Sequence, residues 1–169
     1  QLRFLRGGPA VEDDTWVAHL EGTPTVAELD PSVERDLQIQ PEALVDRTLS
    51  RFDPEAVASV KMHIGTEPPF VLVRDASGWA FSDASGETGP KPWRVDAVVR
   101  TFSLLEGEAT HAEAPSAAQL SEWLLAPPSR RLVFRGEDGE ILADVRVGNR
   151  LDEDHFLARA EGDPRVLTI

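Results

Sequence analysis

An internal repeat constrains this chain more than any other feature. Residues 5–29 (LRGGPAVEDDTWVAHLEGTPTVAEL) align without a gap on residues 145–169 (VRVGNRLDEDHFLARAEGDPRVLTI), an offset of 140 positions. A duplication at fixed period is read before single elements, because both copies must fold as the same supersecondary unit. Eight of the 25 positions are identical: Arg6/Arg146, Gly8/Gly148, Asp14/Asp154, Ala18/Ala158, Glu21/Glu161, Gly22/Gly162, Pro24/Pro164 and Val26/Val166. Trp16/Phe156, Val17/Leu157 and Leu29/Ile169 exchange one apolar residue for another. Within the unit, Trp16, Ala18 and Leu20 alternate with Val17 and His19, Glu21-Gly22-Thr23-Pro24 turns, and Val26 resumes a strand. The turn glycine supplies φ > 0, and Glu161-Gly162-Asp163-Pro164 repeats the requirement. The unit therefore reads as a β-hairpin. Residues 1–29 are expected to be the hairpin part of a preceding repeat, and 30–169 one complete module ending in the equivalent hairpin. A chain cut at equivalent points of adjacent copies should leave these terminal hairpins with free strand edges.

Between the copies, Asp30-Pro31 offers an N-cap and an N1 proline for a short helix through Leu37, and Pro41 to Leu49 reads as a second. Residues 57–64, 69–74 and 78–82 read as a meander of three strands, the last two joined at Asp75-Ala76-Ser77-Gly78. Asp83 to Lys91 is a loop by its composition. Val95, Val98, Val99, Phe102 and Leu105 recur at helical spacing. Ser116 to Leu125 is a further helix, with a capping box from Ser116 and Gln119 and a stop at Pro127-Pro128. Residues 130–135 and 140–147 form a hairpin around Glu137-Asp138-Gly139. Strands outnumber helices and arrive as consecutive hairpins, so the fold class is α+β with antiparallel sheets of consecutive hairpins and a few packed helices.

Charge and composition exclude several function classes. Seventeen basic residues against 30 acidic ones give a formal charge of -13, which repels phosphate backbones, so nucleic acid is a poor partner. With no cysteine, thiolate catalysis, zinc-thiolate sites, iron-sulfur clusters and disulfides are excluded together. The longest apolar runs, Phe70-Val71-Leu72-Val73 and Trp123-Leu124-Leu125-Ala126, fall far short of the roughly 20 residues of a membrane span. A chain opening at Gln1 reads as a mature or excised form, with any anchor outside this segment.

Catalytic and metal-binding patterns are weak. His19, His63, His111 and His155 lie at least 44 positions apart, with no pair at metal-ligand spacing. Asp152-Glu153-Asp154, matched by Glu12-Asp13-Asp14, offers oxygen ligands for a hard cation such as calcium, but lacks the EF-hand order and reads first as a solvated loop. The strings around Ser77 and Ser85 lack the leading glycine of a nucleophile elbow. Gly86-Glu87-Thr88-Gly89-Pro90-Lys91 resembles a phosphate loop only in its glycines, since Pro90 removes a donor and no hydroxyl residue follows the lysine. No cofactor is expected. Trp16, Trp79 and Trp123 fall on patterned elements and read as core. Trp93, beside Arg94 in Pro90-Lys91-Pro92-Trp93-Arg94, is either an exposed aromatic binding surface or a staple over the following helix. Trp93 and Arg94 are the candidate binding residues.

Several motifs, taken in order, carry a family resemblance. Val45-Asp46-Arg47-Thr48-Leu49-Ser50-Arg51-Phe52-Asp53, Gly78-Trp79, Glu122-Trp123-Leu124-Leu125-Ala126-Pro127-Pro128, and Val147-Gly148 followed by Phe156-Leu157-Ala158-Arg159 and Gly162 together resemble the bacterial domain-of-unknown-function family 4340. The chain departs from that pattern with Trp123 and Phe156 at expected tyrosines and Leu124 at an expected glycine. The resemblance implies an extracytoplasmic (periplasmic), membrane-anchored protein associated with ABC transport of the gliding-motility type, with no established enzyme activity or cofactor. The expectation is a non-enzymatic binding or scaffolding module whose partners are proteins: other repeats of the same chain or a membrane transport complex. The alternative is a hydrolase whose acidic site is not identifiable from sequence. An interaction module should present apolar patches and open strand edges, an enzyme a deep pocket with convergent polar groups.

Overall fold

A computed structural model describes residues 2–6, 16–20, 24, 26–28, 44–83 and 89–169. The chain divides into two compact units, residues 1–46 and 47–169. In the first, β1 (Leu2–Arg6), β2 (Trp16–Leu20) and β3 (Val26–Glu28) form an antiparallel sheet in that order. The second unit runs β4 (Thr48–Arg51), a 3-10 turn (Pro54–Ala56), β5 (Ser59–Ile64), β6 (Phe70–Asp75), β7 (Gly78–Phe81), α1 (Pro92–Ser103), β8 (Leu104–Glu106) and β9 (Ala109–Ala112). It continues through α2 (Ala117–Glu122), β10 (Arg130–Arg135), β11 (Ile141–Arg150), β12 (Phe156–Ala160) and β13 (Val166–Thr168). The architecture is α+β and antiparallel, as the pattern of hairpins implies.

Eight strands of the second unit form one sheet, ordered β7-β6-β5-β10-β11-β12-β13-β9, while β4 and β8 pair separately. Alternation sorts its side chains. Val60, Leu72, Leu132, Phe134 and Ala143 turn to one face and bury against Val95 and Val99 of α1. Phe134, fully buried, sits 5.0 Å from Phe52 and 5.6 Å from Phe102, centroid to centroid. Leu49 of β4 packs into Val145, Val147, Ala158 and Leu167 further along the sheet. On the opposite face, Leu157 and Val166 are covered by Leu125, Leu120 and Trp123 from α2 and the segment after it.

The two hairpins marked by the repeat share a register. Val17 faces Glu28 and Ala18 faces Ala27; Leu157 faces Thr168 and Ala158 faces Leu167, each pair displaced by 140. The third strand does not follow the gap-free alignment. Leu2, Arg3 and Phe4 lie opposite Leu20, His19 and Ala18, whereas Val145, Arg146 and Val147 lie opposite Ala160, Arg159 and Ala158. β1 and β11 thus correspond at an offset of 143, pairing Arg3 with Arg146, so Arg6/Arg146 are not equivalent positions. Gly8, Glu12-Asp13-Asp14, Gly22 and the expected helix at 30–37 lie outside the described residues.

Other expectations are corrected. The helix expected over Pro41–Leu49 is not formed in its described part: Thr48 begins β4, because β-branched Thr48 pairs with Glu106 and Leu49 gains a buried site. The helix reaching Leu105 stops at Ser103, where Leu104 opens β8 and Leu105 packs into the second cluster. α2 has the expected capping box but ends at Glu122, three residues early, as Leu124 takes φ +51°. The free edge expected on the C-terminal hairpin is occupied by β9, which pairs Val166, Leu167 and Thr168 with Ala112, Thr110 and Ala109.

Candidate functional site

β7 is a terminal strand of the eight-stranded sheet, so its outer edge has no strand partner among the described residues. Beside it α1 begins at Pro92, whose fixed φ suits the first helical turn, with Lys91 as N-cap. The helix is tied to the strand by Trp79, 7% exposed, whose indole Nε1 donates to Asp96 Oδ1 at 2.8 Å. Arg74 lies over the same ring at 5.6 Å. Helix and sheet leave a groove of about 460 Å³ between them. Its floor is Met62, Phe70, Leu72 and Phe81 of the sheet with Val95 and Val98 of α1, and its charged lining is Lys91 and Arg94. Among the described residues no carboxylate lines it.

The two sequence candidates divide over this groove. Arg94 lines it; Trp93, 64% exposed, does not, but the Arg94 guanidinium lies 5.2 Å from the centroid of the Trp93 ring. Trp93 therefore offers an open aromatic face beside the rim.

The histidines separate as their spacing implies. His111 of β9 meets the Trp123 ring edge-on at 4.8 Å, and His63 lies on β5. His155 is held between two carboxylates: Nδ1 lies 2.6 Å from Asp152 Oδ1, and Nε2 3.1 Å from Glu108 Oε2. Asp152 Oδ1 also accepts the backbone N–H groups of Asp154 and His155. The Asp152 hydrogen bond, followed by the charges of Asp152 and Glu108, raises the His155 pKa above its usual 6.5. The Asp154 N–H, followed by His155, lowers the pKa of Asp152 below 3.8. The leading carboxylate of the acidic loop is thus engaged by a histidine and a turn. Among the described residues no group of three potential ligands could hold a metal ion.

A second concavity, of about 310 Å³, lies over β5, β10 and β11, and sequence reasoning missed it. Lys61, His63, Arg131, Val133, Arg135 and Asp144 contribute to its lining. Asp144 is 7% exposed and accepts from Arg131 Nε at 2.9 Å and from Nη2. The available signal was period-2 spacing: Lys61 and His63 share one face of β5, as do Arg131, Val133 and Arg135 of β10. The cluster also depends on β5 and β10 being neighbours across 65 intervening residues, from Gly65 to Ser129, which local pattern does not encode.

No protein-family model, curated protein or solved structure matches the chain. No helix among the described residues is long and apolar enough to cross a membrane.

Proposed function

We propose that the chain is a non-enzymatic binding and scaffolding module of an extracytoplasmic, transport-associated bacterial protein, and that it captures an extended, acidic-apolar protein segment at β7. The order and spacing of the motifs from Val45 to Gly162 support kinship with the domain-of-unknown-function family 4340. The observation that carries the binding reading is the groove beside the open β7 edge, apolar on its floor and cationic at its rim. A strand added to such an edge gains main-chain hydrogen bonds, while alternate side chains enter the groove. Lys91 and Arg94 would select acidic residues in that strand, and Trp93 would extend the contact beyond the rim.

The test is affinity capture with the purified chain from solubilised bacterial membranes, with identification of the proteins recovered. With Lys91→Glu and Arg94→Glu introduced together and the fold checked by circular dichroism, the partners recovered with the natural protein should be lost. Recovery of the same partners at the same level would contradict the reading.

A further inference from the structure

We infer that the face of the sheet opposite the groove carries a second site, built for a short-chain dicarboxylate. The two sites stand back to back across β5. Val60 and Met62 line the groove, while Lys61 and His63, alternating with them, line the trough. In the ladder Lys61 faces Val133, His63 faces Arg131, and Val133 faces Asp144, so these side chains share one face.

Charge and preorganisation point to the ligand. Among the lining residues Lys61, Arg131 and Arg135 meet one carboxylate, Asp144, an excess of two positive charges in a chain whose formal charge is -13, with Glu161 acting on Arg131 from outside the lining. Asp144 fixes the Arg131 guanidinium through two of its five N–H donors, which leaves a rigid fork suited to a second carboxylate. Arg135 Nη1 donates to the Gly139 carbonyl at 2.6 Å, holding that side chain in place. The Lys61 side chain makes no hydrogen bond or ion pair among the described residues. Between these cations lies the apolar side chain of Val133, with Pro69, Pro128 and Ile141 as walls. A ligand with a carboxylate at each end and a short alkyl spacer satisfies all three features: one carboxylate on the Arg131 fork, the other on Lys61 and Arg135, the spacer over Val133. A volume of about 310 Å³ suits a molecule of that size.

The chain offers a built-in control, because its only two lysines are Lys61 in the trough and Lys91 at the groove. Amine-reactive labelling, read by mass spectrometry at matched ionic strength, follows both positions in one sample. Millimolar succinate or glutarate should slow labelling of Lys61 several-fold and leave Lys91 unchanged, while propionate, with one carboxylate, should protect neither. Protection should be lost in Arg135→Gln. It should also be lost in Ile141→Glu, where an exposed wall residue gains a repelling charge without disturbing the core. Equal labelling of Lys61 with and without succinate would overturn the inference. So would protection by propionate or inorganic phosphate as strong as that by succinate, or protection that persists in both variants.

Discussion

The two ends of the eight-stranded sheet are finished differently. At one end β13 is covered by β9 and packed between Leu49 and Leu125, and Val166, Leu167 and Thr168 are all buried. The turn leading into β9 fits closely: a Cβ on Gly107 would meet the Leu167 Cβ at 2.7 Å. His155 bridges from the β11–β12 loop to Glu108 beside that turn. At the other end β7 has no outer partner among the described residues, and Phe81 is 37% exposed beside the groove. Edges exposed in a native sheet need covering or blunting. β9, itself a terminal strand, shields β13 and closes that end over a packed hairpin; β7, the terminal strand of the open end, borders an apolar, cation-rimmed groove where a partner strand has room.

Substitutions can break this contrast, the largest effect first. Leu167→Ala at the closed end should lower the stability of the second unit by about 2–5 kcal/mol, whereas Phe81→Ala at the open end should cost only about 1 kcal/mol. Equal losses in denaturant unfolding would mean the ends are not differently packed. Gly107→Ala should cost about 1–3 kcal/mol by overpacking against Leu167, and amide exchange in β9 should accelerate more than in β10. Gly162, at φ +84°, turns the closed-end hairpin, and Gly162→Ala should cost about 1–2 kcal/mol in the same unfolding measurement.

The smallest expected effect is on pH dependence. Folding raises the His155 pKa above 6.5, so the contribution of its bridge is complete below that value and fades as pH rises through the raised one. Asp152 has the opposite sign: its contribution is present above pH 3.8 and is lost as pH falls through its lowered pKa. Protection of the β9 amides, measured as exchange relative to its intrinsic base-catalysed rate, should therefore be greatest between these limits, and His155→Gln should abolish the loss of protection on the alkaline side. The position aligned with His155 at the offset of 140 is Thr15, which carries no group that titrates near neutral pH.

What could be read from sequence was what short-range chemistry determines. The Glu-Gly-x-Pro turn and its alternating flanks specify the hairpin register of β2–β3 and β12–β13 locally, and both copies keep it. The β1 and β11 registers depend on loops of different composition, and there the gap-free alignment slips by three residues. The capping box of Ser116 and Gln119 was legible for the same local reason. β9 was not, because Ala109-Thr110-His111-Ala112 carries little strand signal and is strand only through pairing with β13. Trp93 and Arg94 were visible as an aromatic-cation pair in a Pro-rich segment. The groove beside them needed the packing of α1 against β5, β6 and β7, and the trough needed the order of strands in the sheet.

If β7 is an acceptor edge, nuclear magnetic resonance with a peptide of alternating valine and glutamate shows it most directly. As the peptide is added, amides of Gly78–Phe81 should shift and gain protection from exchange, while those of Ala109–Ala112 at the closed end stay unchanged. An unaltered β7, or equal changes at both ends of the sheet, would contradict it.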